Sequence, residues 1–212
     1  MNIKTLPKII INKYIQWKNK KYINKKKLYL SAANNKQKPI AMIISCCDSR
    51  VQVTSILGGE VGDYFIHQNI ANVVPNYKNY TSYDSTFSAI EYAIKSLKIK
   101  HIIVLGHSNC GGVEYGYQIS KKKSAKNLRY LSDWLKSNKS IYKYSGSNEF
   151  EKNKSIYFER ENIKNSINNL MSIPFIKKES KNKLNVHGLW YDIATGDLLQ
   201  LNHKTGLFYK IC

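Results

Sequence analysis

The sequence is short of arginine, of acidic residues and of long apolar runs, and each shortage excludes a class of protein. No stretch approaches the roughly eighteen consecutive apolar residues that a membrane-spanning helix requires, so we expect no membrane span. Basic residues number 34 against 14 acidic ones, for a net charge of +20, yet only Arg50, Arg129 and Arg160 are arginine. Because arginine supplies the bidentate contacts that recognise phosphates and bases, we expect no specific nucleic-acid binding and only salt-sensitive adhesion to polyanions.

Cysteine is also scarce, and its distribution argues against a disulfide-stabilised secreted fold. The chain has four cysteines, of which Cys46, Cys47 and Cys110 lie in the motifs described below. The first 27 residues contain only a short apolar cluster, 9–11, followed by lysines, which is too short for the apolar segment of a signal peptide. We therefore expect a cytoplasmic protein, in which such cysteines more often bind metals or take part in catalysis than form bridges.

The length of 212 residues suits one domain with a sizeable core, and we predict a single domain over 1–212. It comprises an N-terminal helical arm, 1–36, whose broken apolar stripes lie among lysines, and an α/β core, 37–212. Two short apolar runs, 40–44 and 102–105, have the length and composition of buried strands. The helical pattern between them favours a parallel pair of strands joined by a crossover helix.

The remaining pattern predicts further helices and strands. The crossover helix begins at Ser82 or Asp84, either of which can cap it. Lysine, serine and asparagine dominate 137–153, which predicts a solvated loop before a helix that starts at about residue 155. Alternation near the C-terminus predicts strands over 184–191, 198–201 and 207–211. The expected fold class is therefore α/β, with a mainly parallel central sheet flanked by helices, an N-terminal helical arm and C-terminal β-hairpin strands.

Two motifs rich in ligand side chains follow the two buried strands. Cys46-Cys47-Asp48-Ser49-Arg50 follows the first strand, and His107-Ser108-Asn109-Cys110-Gly111-Gly112 follows the second. Since functional groups of parallel sheets collect beyond the carboxyl ends of the strands, the motifs can meet in space. Thiolate and imidazole are zinc ligands, and three of them with one open position make a catalytic zinc site. The plainer alternative is that small residues and a free cysteine pack at two strand ends.

The paired motifs resemble those of the β-class carbonic anhydrases, which have Cys-x-Asp-Ser-Arg followed by His-x-x-Cys-Gly-Gly. Further segments similar to that family occur in family order at 62–65, 69–75, 89–93 and 187–191. The resemblance extends from about residue 37 to the C-terminus and is loose only between 116 and 155.

The resemblance implies one zinc ion per subunit, bound by Cys46, His107 and Cys110. Because successive side chains of a strand point to opposite faces, we expect Cys47 to point into the core as a small apolar residue. It implies reversible hydration of carbon dioxide to bicarbonate and a proton, by attack of a zinc-bound hydroxide. Asp48 and Arg50 would form a catalytic dyad. When paired with the arginine, the aspartate orients the zinc-bound water, and when released it closes the site by ligating the zinc.

The resemblance also implies substrate-binding residues and an assembly. Gln37 would donate a hydrogen bond to the substrate, Phe65 and Tyr92 would line its pocket, and Gly111 and Gly112 would allow close backbone approach and begin a helix. Family members are homodimers or homotetramers, in which the N-terminal arm lies over a partner subunit. The histidines other than His107 receive no specific role.

One departure from the family pattern bears on regulation. Most members have arginine where this chain has Gln68, and some bacterial members have tryptophan where this chain has Ile43. Those two residues hold an inhibitory bicarbonate in the members that have them. We therefore expect this chain to lack that pocket and to keep an open site.

Two other functions are consistent with the same motifs. Relatives on this scaffold hydrolyse carbon disulfide or carbonyl sulfide, and the shape of the access channel would decide between these substrates and carbon dioxide. A non-catalytic zinc-binding or polyanion-binding module is the other alternative, and a structural zinc site would need a fourth protein ligand. The motifs hold no fourth cysteine or histidine in suitable register, so only Asp48 could close the site, which favours catalysis.

Overall fold

A computed structural model describes residues 4–81, 83–122, 128–143, 148–181 and 183–211, and these form a six-stranded sheet with helices around it. The strands are β1 Ala41–Cys46, β2 Tyr64–Asn69, β3 His101–His107, β4 Asn185–Tyr191, β5 Leu198–Leu201 and β6 Phe208–Lys210. Their order is β2-β1-β3-β4-β5-β6. The first four are mutually parallel and the last two are antiparallel additions, which confirms the predicted fold class.

Eight α-helices connect and cover these strands in the described part of the chain. They are α1 Lys8–Trp17, α2 Lys26–Asn34, α3 Val53–Ile56, α4 Ser85–Glu91, α5 Gly111–Ser120, α6 Arg129–Leu135, α7 Asn148–Ser172 and α8 Pro174–Glu179. A π-helical turn, Tyr92–Ser96, extends α4, another, Lys18–Tyr22, extends α1, and a 3-10 segment, Lys136–Lys143, follows α6. The Asp84 carboxylate accepts hydrogen bonds from the N–H groups of Thr86 and Phe87, so the predicted aspartate cap begins α4.

The sheet is buried on both faces where it carries the motifs. Alternate residues of β1 face opposite layers, so Met42 and Ile44 pack with Ile90 of α4 and Leu170 of α7. Ile43 packs on the other face with residues of β3, β4 and α3. Because each fully buried aliphatic side chain stabilises the fold by about 1.5–3 kcal/mol, these layers fix the positions of β1 and β3.

The N-terminal arm packs little against the rest of the chain. Neither α1 nor α2 has a buried residue, and Ile9 is 65% exposed. The arm makes an ion pair between Lys25 Nζ and Glu60 Oε1 at 2.5 Å. The predicted arm is therefore helical, and its apolar stripe stays exposed within a single chain.

The predicted solvated loop over 137–153 is wrong wherever the structure describes it. The 3-10 segment takes up its first part, and α7 begins at Asn148 rather than near residue 155; residues 144–147 lie outside the described residues. One reason is that Asn138 is buried, where it donates to Asn162 Oδ1 of α7 instead of facing solvent. Across the described residues, no helix combines the length and apolar character needed to cross a membrane.

Candidate metal centre

The parallel register of β1 and β3 brings the two motifs together. Ser45 pairs with Leu105, so both strands end at the same edge, with Cys46 on one and His107 on the other. Cys110 follows as the residue that caps α5, and its Sγ lies 3.9 Å from Cys46 Sγ. All three side chains are buried, and their ligand atoms lie within 4.8 Å of one another. Among the described residues, no other three histidine, cysteine or acidic side chains form such a group.

The His107 ring is oriented for a metal ligand. Its Nδ1–H donates to the carbonyl oxygen of Ser108 at 2.9 Å, which leaves the lone pair on Nε2. Nε2 is buried without a hydrogen-bond partner in the structure. A backbone carbonyl that fixes the ring in this way is the usual support of a metal-binding histidine. The structure therefore directs the Nε2 lone pair into the cluster.

The two neighbouring thiols have pKa values that are shifted in opposite directions. Contact with Cys110 lowers the pKa of Cys46 to about 4 against the effect of burial, with help from His107 and from the backbone N–H groups of Ala71 and Asp48. The same contact, together with burial, raises the pKa of Cys110 well above its ordinary value. Cys46 is therefore ionised while Cys110 keeps its proton, and a bound cation would draw the second proton away as well, since metal binding deprotonates thiols.

The spacing of the ligand atoms fits zinc. Two sulfurs 3.9 Å apart, each about 2.3 Å from one ion, subtend an angle of about 115° at that ion, close to the tetrahedral value. Burial alone would lower the pKa of His107, but the neighbouring negative charges of Cys46 and Asp48 raise it on balance. The same negative charge that favours a proton at this position would favour a metal cation in the proton's place.

Asp48 lies beside the cluster but is held away from it by Arg50. Arg50 Nε donates to Oδ1 at 2.9 Å and Nη2 to Oδ2 at 2.7 Å, while Nη2 also reaches the carbonyl oxygen of Asn109 at 3.1 Å. Asp48 Oδ2 is 4.0 Å from His107 Nε2. The Arg50 guanidinium holds the pKa of Asp48 well below its usual range, so the carboxylate is ionised. Asp48 is therefore not part of the group of ligand atoms that Cys46, His107 and Cys110 form.

A strained turn supports Cys46 from the other side. Ala71 and Asn72 have φ values of 63° and 47°, in the left-handed region that side chains other than glycine and asparagine rarely adopt. The Ala71 N–H is one of the two backbone donors that lower the pKa of Cys46. The turn, which we call the 71–74 turn, therefore aims a donor at a metal ligand at the expense of backbone strain.

One face of α7 holds this turn in place. Asn162 Nδ2 donates to the carbonyl of Ala71 at 2.7 Å, Ser166 Oγ to that of Asn72 at 3.1 Å, and Asn169 Nδ2 to that of Val74 at 2.9 Å. The three residues are spaced by four and three positions, so they share one side of the helix. We call them the α7 ladder. The sequence analysis did not predict these contacts. The only signal in the sequence was the spacing of three polar residues at i, i+4 and i+7, which places them on one face of a helix.

The two glycines after Cys110 have different surroundings. A Cβ on Gly112 would lie 2.7 Å from Ile70 Cγ2 and 3.0 Å from Ala71 Cβ, so α5 approaches the 71–74 turn closely there. A Cβ on Gly111 would meet nothing within 4 Å. Both glycines begin α5, as predicted, but only Gly112 is needed for close approach.

Three of the residues predicted to bind substrate, Gln37, Phe65 and Tyr92, do not meet the metal cluster within one chain. Gln37 is exposed and precedes β1, at the end of that strand opposite to Cys46. Phe65 pairs with Met42 in the sheet, and its ring centroid lies 5.8 Å from that of Tyr92. Four strand positions separate Met42 from Cys46, or about 13 Å. That these residues bind substrate therefore remains a prediction, in which they would reach the metal site of a neighbouring subunit.

Two side chains that support the ligand residues were not predicted, and the orientation of Cys47 was predicted wrongly. Gln68 Nε2 donates to the carbonyl of Cys46 at 3.1 Å. Buried Glu159 accepts from the Cys110 N–H at 3.3 Å and from Trp190 Nε1 at 3.1 Å, and burial raises its pKa. The prediction that Cys47 points into the core is wrong, because its side chain is exposed. Residues 46 and 110 are therefore each supported by a side chain distant in sequence.

Comparison with known proteins agrees with this geometry. A family model described as "Carbonic anhydrase" matches residues 41–198. Beta carbonic anhydrase 3 of Arabidopsis thaliana is 32% identical over 198 residues, covering 91% of this chain and 76% of that protein. The carbonic anhydrase of Helicobacter pylori is 33% identical over 203 residues, covering 93% of this chain and 91% of that protein.

Solved structures give the same answer for the fold. The β-carbonic anhydrase CcaA superposes with a TM-score of 0.84 at 27% identity, covering 97% of this chain and 92% of that one. A structure described as one of two tetrameric β-carbonic anhydrases from Sordaria macrospora superposes with a TM-score of 0.71 at 29% identity, covering 92% of this chain and 95% of that one.

Proposed function

The chain belongs to the β-class carbonic anhydrase family and is, like its named relatives, a carbonate dehydratase; from this premise we propose that it hydrates carbon dioxide to bicarbonate and a proton on one zinc ion per subunit. The observation that carries the proposal is the buried Cys46–His107–Cys110 cluster, with Asp48 tethered beside it. A structural zinc site would close its coordination with a fourth protein ligand. Here the nearest candidate is held by Arg50 instead, which favours catalysis.

The cluster would hold the metal through the thiolates of Cys46 and Cys110 and the Nε2 of His107. When bound there, zinc supplies a Lewis acid that lowers the pKa of water to about 7, which makes hydroxide available at neutral pH. The chain first contributes charge, because two thiolates would neutralise the two positive charges of the zinc ion. The N–H groups of Ala71 and Asp48 then stabilise the thiolate of Cys46.

Asp48 acts as the positioning acceptor of the dyad. Its carboxylate is ionised and is fixed by two charge-assisted bonds from Arg50, so it can accept a hydrogen bond from the attacking water without moving. That hydrogen bond holds the water with a lone pair directed at carbon dioxide. Arg50 is in turn fixed to the backbone of Asn109, within the second motif.

The proposal includes an assembly that completes the substrate pocket. The apolar stripe of α1 and α2 is exposed in one chain, and an arm of this kind can be buried against a second copy. Gln37, Phe65 and Tyr92 would then reach the metal site of a partner subunit. One of the similar structures is described as tetrameric, which supports a dimer or a multiple of it. We expect the assembly to act in the cytoplasm, given the free cysteines of its site.

The structure also supports an open site without an inhibitory bicarbonate pocket. Gln68, which stands where most members have arginine, uses its amide to bind the Cys46 carbonyl. Ile43, at the other position, is fully buried in the sheet. Neither residue offers a bound anion a charged partner. No bicarbonate bound at these positions would therefore compete with Asp48 for Arg50.

Cysteine variants test the proposed ligand set together with the function. Cys46→Ser or Cys110→Ser should lose most zinc and all carbon dioxide hydration, because each removes a thiolate from the cluster. Cys47→Ser is the matched control, since its side chain is exposed one position away, and it should keep both zinc and activity. Zinc content by mass spectrometry and hydration by stopped flow are measured on the same samples. Zinc lost from Cys47→Ser and kept by Cys46→Ser would overturn the assignment.

A further inference from the structure

A second pair of metal-ligand side chains lies at the opposite end of the sheet from Cys46. His101 is the first residue of β3, and His187 lies near the start of β4, whereas the ligand cluster follows the strand ends. In the parallel register Ile103 pairs with His187, so His101 is its diagonal neighbour on the same face. His101 Nδ1 lies 3.1 Å from His187 Nε2. The topology therefore brings together two imidazoles that are 86 residues apart in sequence.

The geometry of this pair suits one shared ion. The rings are stacked, with centroids 5.4 Å apart and planes inclined by 24°. Two nitrogens 3.1 Å apart, each about 2.0–2.1 Å from one ion, subtend an angle of about 100° there, between the octahedral and tetrahedral values. Small rotations of both rings would direct the lone pairs of these nitrogens at the same point. The contact of 3.1 Å requires at least one of the two nitrogens to be unprotonated.

The surroundings leave room for an ion and its water ligands. Both histidines line an open cleft of about 450 Å³, together with Tyr64, Gln200 and aliphatic side chains. Among the described residues, no lysine, arginine or acidic residue lines that cleft, so its lining itself carries no side-chain ammonium. Burial, and then the neighbouring His101 and His203, lower the pKa of His187, which keeps its imidazole neutral at physiological pH. His203 donates from Nε2 to the Val186 carbonyl at 3.1 Å.

We propose that His101 and His187 form a second, exchangeable metal site for one first-row divalent cation, with water in the remaining positions. Imidazole favours copper, nickel and zinc, and affinity among divalent ions peaks at Cu²⁺. Two neutral ligands and no thiolate bind more weakly than the buried cluster, so the site fills after the catalytic one. The proposal does not rest on the hydration activity, because none of its residues belongs to the candidate metal centre.

The test uses the full chain with zinc already bound. Equilibrium dialysis against Cu²⁺, followed by elemental analysis, should show one copper per chain in addition to one zinc. His101→Gln and His187→Gln should each lose the added copper while keeping zinc and hydration activity, which shows that they are folded. His203→Gln is the matched control and should keep the copper, because its Nε2 is engaged by a carbonyl.

Electron paramagnetic resonance of the bound Cu²⁺ supplies an independent readout. The unmodified chain should show hyperfine coupling to two imidazole nitrogens, and each single variant should show coupling to one or none. Added copper that survives in both histidine variants, or no added copper in the unmodified chain, would overturn the proposal. Loss of copper from His203→Gln would also overturn it, since the ligand set would then include a third histidine.

Discussion

Replacing Asn162 by leucine tests the link between α7 and the metal centre. The Asn162 side chain is buried and donates to the Ala71 carbonyl at 2.7 Å. Leucine has the same branched shape and number of heavy atoms but no donor, so the buried carbonyl loses its partner at a cost of about 1–3 kcal/mol. The left-handed backbone at Ala71 itself costs about 1–3 kcal/mol and persists only while its surroundings impose it. Because the two energies are similar, the turn should relax once Asn162 is removed.

Relaxation of the turn should weaken zinc binding rather than only the fold. The Ala71 N–H would no longer be directed at Cys46, and the pKa of that thiol should rise. Loss of a partner that supports a metal ligand commonly lowers metal affinity by about 10–100-fold, and we expect a decrease in that range. Competition for zinc with a chromophoric chelator at fixed pH measures the affinity directly.

Asn169→Leu is the matched control for this effect. Asn169 lies two helical turns along α7 and donates to the Val74 carbonyl at 2.9 Å, so its loss also leaves a buried carbonyl unpaired. Its effect on unfolding should be somewhat smaller, because Asn162→Leu also removes the acceptor of the buried Asn138 amide. Asn169 hydrogen-bonds neither Ala71 nor Cys46. We expect its zinc affinity to change by less than about threefold, well under the range for supporting partners. Equal losses of zinc affinity in the two variants, or none in Asn162→Leu, would refute the reasoning.

Three further predictions concern the dyad, the α5 start and a histidine. Arg50→Ala should retain zinc, because Asp48 is freed to become a fourth ligand. The rate of hydration should fall at least about tenfold, which corresponds to the free energy of one charge-assisted hydrogen bond. A parallel loss of zinc would contradict this prediction. Gly112→Ala should lower the free energy of unfolding by about 1–3 kcal/mol through overpacking against Ile70 and Ala71. Gly111→Ala, with open space around its Cβ, should leave the denaturation midpoint nearly unchanged. The pKa of His187 is lowered on folding, so the unfolded state binds more protons and stability should fall as pH drops below about 6.5. His187→Gln should reduce that slope in urea titrations at several pH values, and an unchanged slope would exclude this contribution.

Much of the fold and of the ligand cluster could be predicted because their signals are local. The apolar runs before Cys46 and His107 have strand length, and parallel strands end at one edge, so the motifs had to converge. Asp84 was one of two predicted caps, with Ser82, because a capping side chain acts within its own turn, and the structure shows Asp84 in that role. The identity of the ligands depended on residues within each motif, which is why spacing was informative.

The misassigned parts depend on contacts between distant segments. The helix from about residue 155 was predicted, but its polar residues were assigned no contacts, and Asn162 and Ser166 donate to carbonyls of a turn about 90 positions earlier. Nothing near Asn148 in sequence reveals that a helix begins there. The pairing of His101 with His187 likewise requires the register of β3 against β4, which composition does not encode.

Stopped-flow hydration of carbon dioxide across pH, on protein whose zinc content is measured, tests the central claim most directly. We predict turnover well above the buffer rate that rises through a single ionisation near pH ~7 and disappears when a chelator removes the zinc. Protein with one zinc per chain and no hydration above the buffer rate at any pH would contradict the claim. A steep, cooperative loss of activity below about pH 8 would instead contradict the open site, because it would signal a coupled closure by Asp48.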